Sequence, residues 1–224
     1  MLNPYRIFPT DPTTRTITKR LFKEVENLPL ICPHGHTMPE WFSENKNFLD
    51  PAQLLIVPDH YVLRMLVSQG HTLSALGVAS SIGKNHQTDG RKIWRLFADN
   101  YFLFQSTPVR FWFDHTLETL FDVKERLNTN NADEVYDRIS DCLISESFKP
   151  RALFERFNIE FLATTDACTD NLNHHAMIKK SGWSGKIIPT YRPDSVIDPD
   201  HDGFLDNLEI MANMTGEDGS KWDG

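Results

Sequence analysis

Hydrophobic residues recur at helical spacing near the start of the chain and then give way to a short apolar run. In "TTRTITKRLFKEVENLPL" the spaced apolar positions are Ile17, Leu21, Val25 and Leu28, and the first threonines are predicted to cap the helix. The apolar residues just before His34 predict a buried strand near residues 29–34. A helix therefore leads into a strand.

The next hundred or so residues show helical patterns. In "LDPAQLLIVPDHYVLRMLVSQG", Asp50 with Pro51 starts one short helix, and Asp59 starts another that Gly70 ends. Residues 90–127 are rich in Trp, Phe and Leu, which predicts helices that pack an aromatic core. We expect a helical insertion over about residues 43–130.

A strand-helix alternation follows. Helices are predicted in "ADEVYDRISDCLI" and, opened by Pro150, in "KPRALFERFN". The apolar runs 159–163 and 187–188 predict buried parallel strands near residues 159–164 and 186–190, with a helix between them. Polar residues follow each strand, as at the active end of a (β/α)8 barrel. The predicted class is α/β, a partial (β/α)8 TIM-type barrel with the helical insertion after the first strand.

Three strands do not close a barrel of eight, and the sequence ends at "EDGSKWDG". We therefore expect residues 1–224 to form the amino-terminal part of one barrel domain in a truncated chain. The strand edge left unpaired is expected to make such a chain prone to associate.

The composition of the chain argues against several classes of function. The chain has 224 residues, 40% of them hydrophobic, and a formal net charge of −8, which argues against a nucleic-acid surface. No apolar run approaches the roughly 20 residues that span a bilayer, and no signal peptide is evident. The three cysteines are far apart and form no CxxC, so a reducing cytoplasm is expected.

Two histidines provide the first candidate chemistry. Side chains at positions i and i+2 of a strand point the same way, so His34 and His36 would project together and share one metal ion. The alternative is that both are ordinary polar loop residues, since Pro33 and Gly35 favour a loop.

Four segments together carry a family resemblance. They are "PHGH" at 33–36, "DHYVLR" at 59–64, "TTDACTDNLNHH" at 164–175 and "PTYRPD" at 189–194. In this order and spacing the sequence resembles the uronate (glucuronate) isomerases, a divergent branch of the amidohydrolase superfamily. The resemblance covers nearly the whole chain and corresponds to about the amino-terminal half of the family's usual length.

The chain departs from the family pattern at two places. The family has His-Cys-His where this chain has Gly35 between the histidines, and an acidic residue with proline where it has Ala167 and Cys168. Neither difference removes a metal-binding side chain, but they mark a distant member.

The resemblance implies isomerisation of D-glucuronate to D-fructuronate and of D-galacturonate to D-tagaturonate, with proton transfer between C2 and C1. It implies a uronate sugar as partner, a divalent metal, Zn²⁺, as cofactor, and His34 and His36 as ligands. A carboxylate from the last barrel strand would complete the site. A homo-oligomer is compatible with the sequence.

Further candidate residues lie at a predicted helix start. His60 and Tyr61 would contact substrate oxygens as catalytic residues, where the helix dipole favours an anion, and Arg64 would bind substrate one turn on. The alternative is that Asp59 merely caps this helix and Tyr61 packs.

Further candidates follow the later strands. Arg192 is expected to bind the substrate carboxylate as a bidentate pair and to take part in catalysis, with Asp194 orienting it; a purely structural Arg–Asp pair competes. Asp166 is expected to hydrogen-bond a ligand histidine, or else to cap the next helix. We expect Arg192 and Asp166 to surround one cleft with His34 and His36.

The remaining histidines receive other interpretations. His174 and His175 are adjacent on a predicted helix, point about 100° apart and are interpreted as structural. His115 matches a family histidine with weak local support.

Two other functions remain open. One is a metal-dependent hydrolase of the same superfamily, against which the "DHYVLR" and "TYRPD" segments argue. The other is a non-catalytic fragment; we expect the isolated 224-residue chain not to isomerise uronates, while the complete gene product does.

Overall fold

Two groups of elements make up the structure, a computed structural model that describes residues 2–79 and 85–220. The last four residues of "EDGSKWDG" lie outside this range. One unit comprises Met1–Glu26 with Asn47–Lys149, and the other comprises Asn27–Lys46 with Pro150–Gly224. Among the helices of the described residues, none has the length and apolar character needed to cross a membrane.

The first unit is helical. Its α-helices are α1 (Pro12–Val25), α3 (Pro51–Leu55), α4 (His60–Ser68), α5 (Gly90–Asp99), α6 (Pro108–Phe121) and α7 (Ala132–Leu143). Short 3-10 helices occupy Tyr101–Phe104 and Glu146–Phe148.

The second unit contains the sheet. Its strands are β1 (Leu30–Cys32), β2 (Ile159–Ala167) and β3 (Lys186–Arg192). Its helices are α2 (Pro39–Glu44), α8 (Pro150–Arg156), α9 (Asn173–Lys180), α10 (Asp194–Ile197) and α11 (Phe204–Thr215).

Four described helices of the first unit begin with an aspartate N-cap, and the aspartates are Asp11, Asp50, Asp59 and Asp89. The side chain of Asp11 accepts a hydrogen bond from the Thr14 N–H, so the cap of α1 is Asp11 and not the predicted threonines. Asp50 begins α3 and Asp59 begins α4, each accepting two backbone N–H bonds, as the sequence predicted. Each carboxylate satisfies amide groups that have no partner inside the helix.

The aromatic residues of the helical unit form its core, as predicted. Trp94, Phe97, Phe104 and Phe113 are almost fully buried, and the Phe97 and Phe113 ring centroids are 4.9 Å apart. Trp94 Nε1 donates to the Ala132 carbonyl over 2.9 Å, which satisfies the one polar atom of this ring in the core.

The three strands are parallel, in the order β1-β2-β3. Cys32 of β1 pairs with Leu162 of β2, and Ala167 at the end of β2 pairs with Arg192 of β3. Helix α9 connects β2 to β3, so β2, α9 and β3 form the predicted βαβ unit. The carboxyl ends of all three strands therefore lie at the same end of the sheet.

Helices cover one face of this sheet. Leu162 and Ile187 pack there with Ile178 of α9, Phe42 of α2 and Phe154 of α8. Residues alternate between faces, so Ile187 is buried whereas Ile188 is 43% exposed. The expectation that both isoleucines are buried is thus wrong for Ile188. Its side chain projects from the face that these helices do not cover.

Candidate functional site

The segment after β1 runs close beside β2. A Cβ atom added to Gly35 would lie 2.8 Å from the carbonyl oxygen of Ala163. Thr165 Oγ1 donates to the Gly35 carbonyl over 2.7 Å. Glycine is the residue that allows this close approach, and the Thr165 hydrogen bond fixes the segment that carries His34 and His36 at the carboxyl end of the sheet.

The two imidazoles of this segment converge. His34 Nε2 and His36 Nε2 are 2.8 Å apart, so that one ring donates a hydrogen bond to the other, and the ring centroids are 4.8 Å apart. The predicted convergence is confirmed. Two nitrogen donors aimed at a common point fit two ligand positions of a divalent metal. The described residues contain no group of three or more His, Cys, Asp or Glu that fits such an ion, so the pair supplies at most part of a ligand set.

A buried polar cluster occupies the end of β2. Thr164 Oγ1 donates to Asp166 Oδ2 over 2.7 Å and lies 2.8 Å from His175 Nε2. His175 Nε2 is 3.9 Å from the same carboxylate oxygen. Among the described residues, the Asp166 side chain thus contacts Thr164 and a histidine of α9, and the N-cap of α9, Leu172, makes no side-chain hydrogen bond. Helix capping, the alternative for Asp166, is wrong.

Arg192 ends β3 at the same end of the sheet. Arg192 Nε donates to Asp194 Oδ2 over 3.2 Å, and the Arg192 carbonyl accepts a hydrogen bond from Cys168 N over 3.0 Å. In the register of β2 with β3, Asp166 pairs with Tyr191 and Ala167 with Arg192. Paired residues of neighbouring strands lie on the same face of a sheet, so Arg192 lies on the face opposite to that of Asp166. They share one end of the sheet, as expected, but not one face.

The "DHYVLR" residues lie in the helical unit. Asp59 accepts hydrogen bonds from Tyr61 N over 2.8 Å and from Val62 N over 3.1 Å. The predicted role of Asp59 as a helix cap is therefore confirmed. The His60 and Tyr61 ring centroids are 4.2 Å apart, and Tyr61 is 61% exposed, so it does not pack in a core. The Arg64 guanidinium lies 6.0 Å from the centre of the Tyr61 ring.

The adjacent histidines of α9 take different partners. His174 Nδ1 lies 2.8 Å from Ser43 Oγ, whereas His175 Nε2 lies near Thr164. Their divergence agrees with the expectation from helix geometry. In the helical unit, His115 Nδ1 accepts from Arg6 Nη2 over 3.2 Å.

Sequence reasoning missed the link between Thr164 and His175. The sequence contains a pattern that predicts this link. Thr164 and Asp166 lie on the same face of β2 as Leu162, and His175 lies one helical turn before the buried Ile178. A histidine on the apolar stripe of a helix, opposite polar residues of a strand, predicts a buried polar contact.

Comparison with known proteins gives one family. The family model described as glucuronate isomerase matches residues 13–224. The uronate isomerase of Rhizobium meliloti is 50% identical over 224 residues, covering 100% of this chain and 48% of the relative. That of Brucella canis is 52% identical over 215 residues, covering 96% of this chain and 46% of the relative. The chain thus spans about half the length of the curated relatives it matches.

Solved structures agree. The crystal structure of glucuronate isomerase from Caulobacter crescentus matches with a TM-score of 0.94 at 45% identity, covering 99% of this chain and 46% of that chain. The uronate isomerase from Thermotoga maritima matches with a TM-score of 0.84 at 26% identity, covering 100% and 46%. The fold is that of the amino-terminal portion of an amidohydrolase-like TIM barrel, in a class of metal-dependent enzymes.

Proposed function

The chain belongs to the glucuronate isomerase family, and on that premise we propose that it serves the isomerisation of uronate sugars. The proposed reactions convert D-glucuronate to D-fructuronate and D-galacturonate to D-tagaturonate. The observation that carries the proposal is the convergence of His34 and His36 within a chain that matches the family along nearly its whole length.

The proposed reaction moves hydrogen within one molecule. A base removes the proton from C2, the resulting enediolate takes a proton at C1, and the C2 hydroxyl becomes the ketone as the C1 aldehyde becomes an alcohol. No atom is gained or lost. The site must therefore hold the sugar, move one proton between neighbouring carbons and stabilise charge on the two oxygens.

His34 and His36 are proposed to hold a divalent metal, Zn²⁺, through their Nε2 atoms. When bound, such an ion supplies a Lewis acid for the sugar oxygens. The protein's own contribution is the placement of both rings, which the Thr165 bond to the Gly35 carbonyl supports. Asp166, near the carboxyl end of the adjacent strand β2, is proposed to assist this pair.

Arg192 is proposed to bind the substrate carboxylate. Its side chain is 53% exposed and its Nε is already engaged by Asp194, which leaves the two terminal nitrogens for a planar anion. The exposed ion pair contributes little to stability by itself, so a binding role accounts for it better than a structural one.

His60 and Tyr61 are proposed to contact substrate oxygens and to serve in proton transfer, and Arg64 to bind substrate. Support comes from the position of both rings in the first turn of α4, beside the cap residue Asp59, and from the exposure of Tyr61. A phenol and an imidazole are suitable proton donors and acceptors.

The proposed location is the cytoplasm, and the proposed partner is a small uronate rather than a nucleic acid. Three free cysteines, Cys32, Cys142 and Cys168, support a reducing compartment. The net charge of −8 supports the absence of a nucleic-acid partner. A homo-oligomer stays a prediction.

The decisive test uses the complete product of the gene that encodes this chain. Incubated with D-glucuronate and Zn²⁺, it is expected to form D-fructuronate, followed by NMR of the sugar. His34→Ala and His36→Ala are expected to abolish conversion, whereas His201→Ala, at an exposed histidine outside the site, retains it. Full activity in both site variants, or no conversion by the unaltered protein, would contradict the proposal.

A further inference from the structure

The cluster of Thr164, Asp166 and His175 lies where hydrophobic residues predominate. Thr164 is fully buried, Asp166 is 6% exposed and the His175 side chain is 9% exposed. On the same face of β2, Leu162 packs against Ile178, one helical turn after His175. A carboxylate in such surroundings is costly unless hydrogen bonds satisfy it. The stability of the cluster therefore depends on which of its atoms donate and which accept hydrogen bonds.

The hydroxyl of Thr164 has one proton and three neighbours. They are Asp166 Oδ2 at 2.7 Å, His175 Nε2 at 2.8 Å and the Ile188 carbonyl at 3.3 Å. The carboxylate is the nearest and the only charged acceptor, so it receives the proton. Toward His175 the hydroxyl oxygen must then accept, and His175 Nε2 must donate.

The second ring nitrogen of His175, Nδ1, indicates which protons the ring carries. His175 Nδ1 is buried and has no hydrogen-bond partner among the described residues. A doubly protonated ring would bury an unpaired N–H of a cation there, whereas the neutral ring buries only a lone pair. The neutral ring with its proton on Nε2 is therefore the form that fits this position.

We propose that His175 is a positioning residue: its Nε2–H holds the Thr164 hydroxyl, and that hydroxyl holds the Asp166 carboxylate at the end of β2. Among the described residues, the hydrogen bond from Thr164 and the contact with His175 both engage Oδ2, which leaves Oδ1 for the proposed action of Asp166 on the metal pair. This inference rests on the proposed metal site at His34 and His36.

The first test is spectroscopic and needs no activity. In the complete gene product, NMR of the histidine rings is expected to show the His175 proton on Nε2, protected from exchange with water. Thr164→Ser keeps the hydroxyl and is expected to keep this signal, whereas Thr164→Val, of nearly the same shape, loses the protection. A proton found on Nδ1, or a signal indifferent to Thr164→Val, overturns the proposal.

The second test measures Zn²⁺ affinity by competition with a chromophoric chelator. His175→Asn, whose amide is too short to replace Nε2, is expected to weaken binding about tenfold, the lower end of the effect of disturbing a group behind a metal ligand. His175→Gln places an amide N–H near the Nε2 position and is expected to retain most of the affinity.

A double variant separates positioning from general folding damage. If His175 acts through Asp166, His175→Asn adds no further loss in an Asp166→Asn background, whereas independent structural damage adds. His34→Ala identifies failure of the premise. If it leaves Zn²⁺ affinity unchanged, the metal pair is wrong and the inference falls with it. If it lowers affinity while both His175→Asn and Thr164→Val do not, the positioning role alone is wrong.

Discussion

Gly35 illustrates how one residue governs the histidine pair. Its backbone passes so close to β2 that a methyl group would lie 2.8 Å from the Ala163 carbonyl oxygen, a backbone atom that cannot turn away as a side chain can. Gly35 has no left-handed backbone conformation, so space rather than φ requires glycine here.

Gly35→Ala is therefore expected to lower the free energy of unfolding by about 1–3 kcal/mol, as overpacking does. It is also expected to shift the ring signals of His34 and His36 in NMR spectra. Urea titration measures the first effect.

Gly182→Ala is the matched control for Gly35→Ala. Its added methyl group meets no atom within 4 Å, but φ is +74°, so it costs backbone strain without reaching the histidines. Unchanged stability in Gly35→Ala, or equal disturbance of the histidine signals by both variants, would contradict this account.

Arg192→Lys tests the proposed carboxylate contact. Lysine keeps the charge but not the paired donors, and losing a hydrogen bond to a charged group costs about 1.5–3 kcal/mol. The KM for D-glucuronate is therefore expected to rise about tenfold to a hundredfold. Because the Arg192–Asp194 pair is exposed, stability is expected to change by less than about 1 kcal/mol. An unchanged KM would eliminate Arg192 from substrate binding.

At the scale of elements, helix α4 depends on its first residue. The Asp59 side chain satisfies two amide groups, so Asp59→Ala is expected to cost about 1 kcal/mol of stability. Asp59→Asn keeps a side-chain oxygen that accepts the same bonds and is expected to cost less. Thermal unfolding of both variants measures the difference, and equal losses would show that the cap does not stabilise this helix.

The packing of α6 on the 3-10 helix Tyr101–Phe104 is expected to depend on pH. Burial, and then the Asp114 carboxylate, raise the pKa of the Tyr101 phenol well above its ordinary value. The Tyr101 hydroxyl donates to Asp114 Oδ1 over 2.8 Å, and Arg110 Nε binds the other oxygen of Asp114 over 2.8 Å. The folded protein thus favours the neutral phenol.

A raised folded-state pKa stabilises the fold fully below the unfolded pKa, about 10, and this stabilisation is lost as pH rises above that value. Tyr101→Phe is expected to cost about 1.5–3 kcal/mol at pH 7 through the lost bond to a carboxylate. The stability difference between wild type and variant is expected to shrink between pH 8 and pH 11. Urea titrations at pH 6 and 8, where the difference stays constant, are the control; a difference that grows with pH would contradict the assignment.

At the scale of the whole molecule, the proposed activity is expected to depend on a metal. Dialysis of the complete gene product against a chelator is expected to abolish conversion of D-glucuronate, and added Zn²⁺ to restore it. The reason is that the Nε2 atoms of His34 and His36 converge to 2.8 Å, which suits two ligand positions of one divalent metal ion. Undiminished activity in the thoroughly dialysed protein would contradict the metal assignment.

Local features were predictable from the sequence because each depends on neighbours along the chain. The caps Asp50 and Asp59 act on amides two or three residues away, and the aromatic helices follow from spacing. The His-x-His pair converges for the same reason, since only Gly35 separates the two rings. The two short apolar runs with a helix between them likewise indicated the βαβ unit.

Tertiary structure decided what depends on partners distant in the sequence. It placed β1 beside β2, although a long helical segment separates the two strands in the sequence. It also decided that helices cover Ile187 but not Ile188. It also gave Asp166 a histidine of α9 as neighbour and placed Arg192 on the opposite face. Hydrophobic spacing determines which residues share a face of one element, but which element covers that face depends on packing of the folded chain.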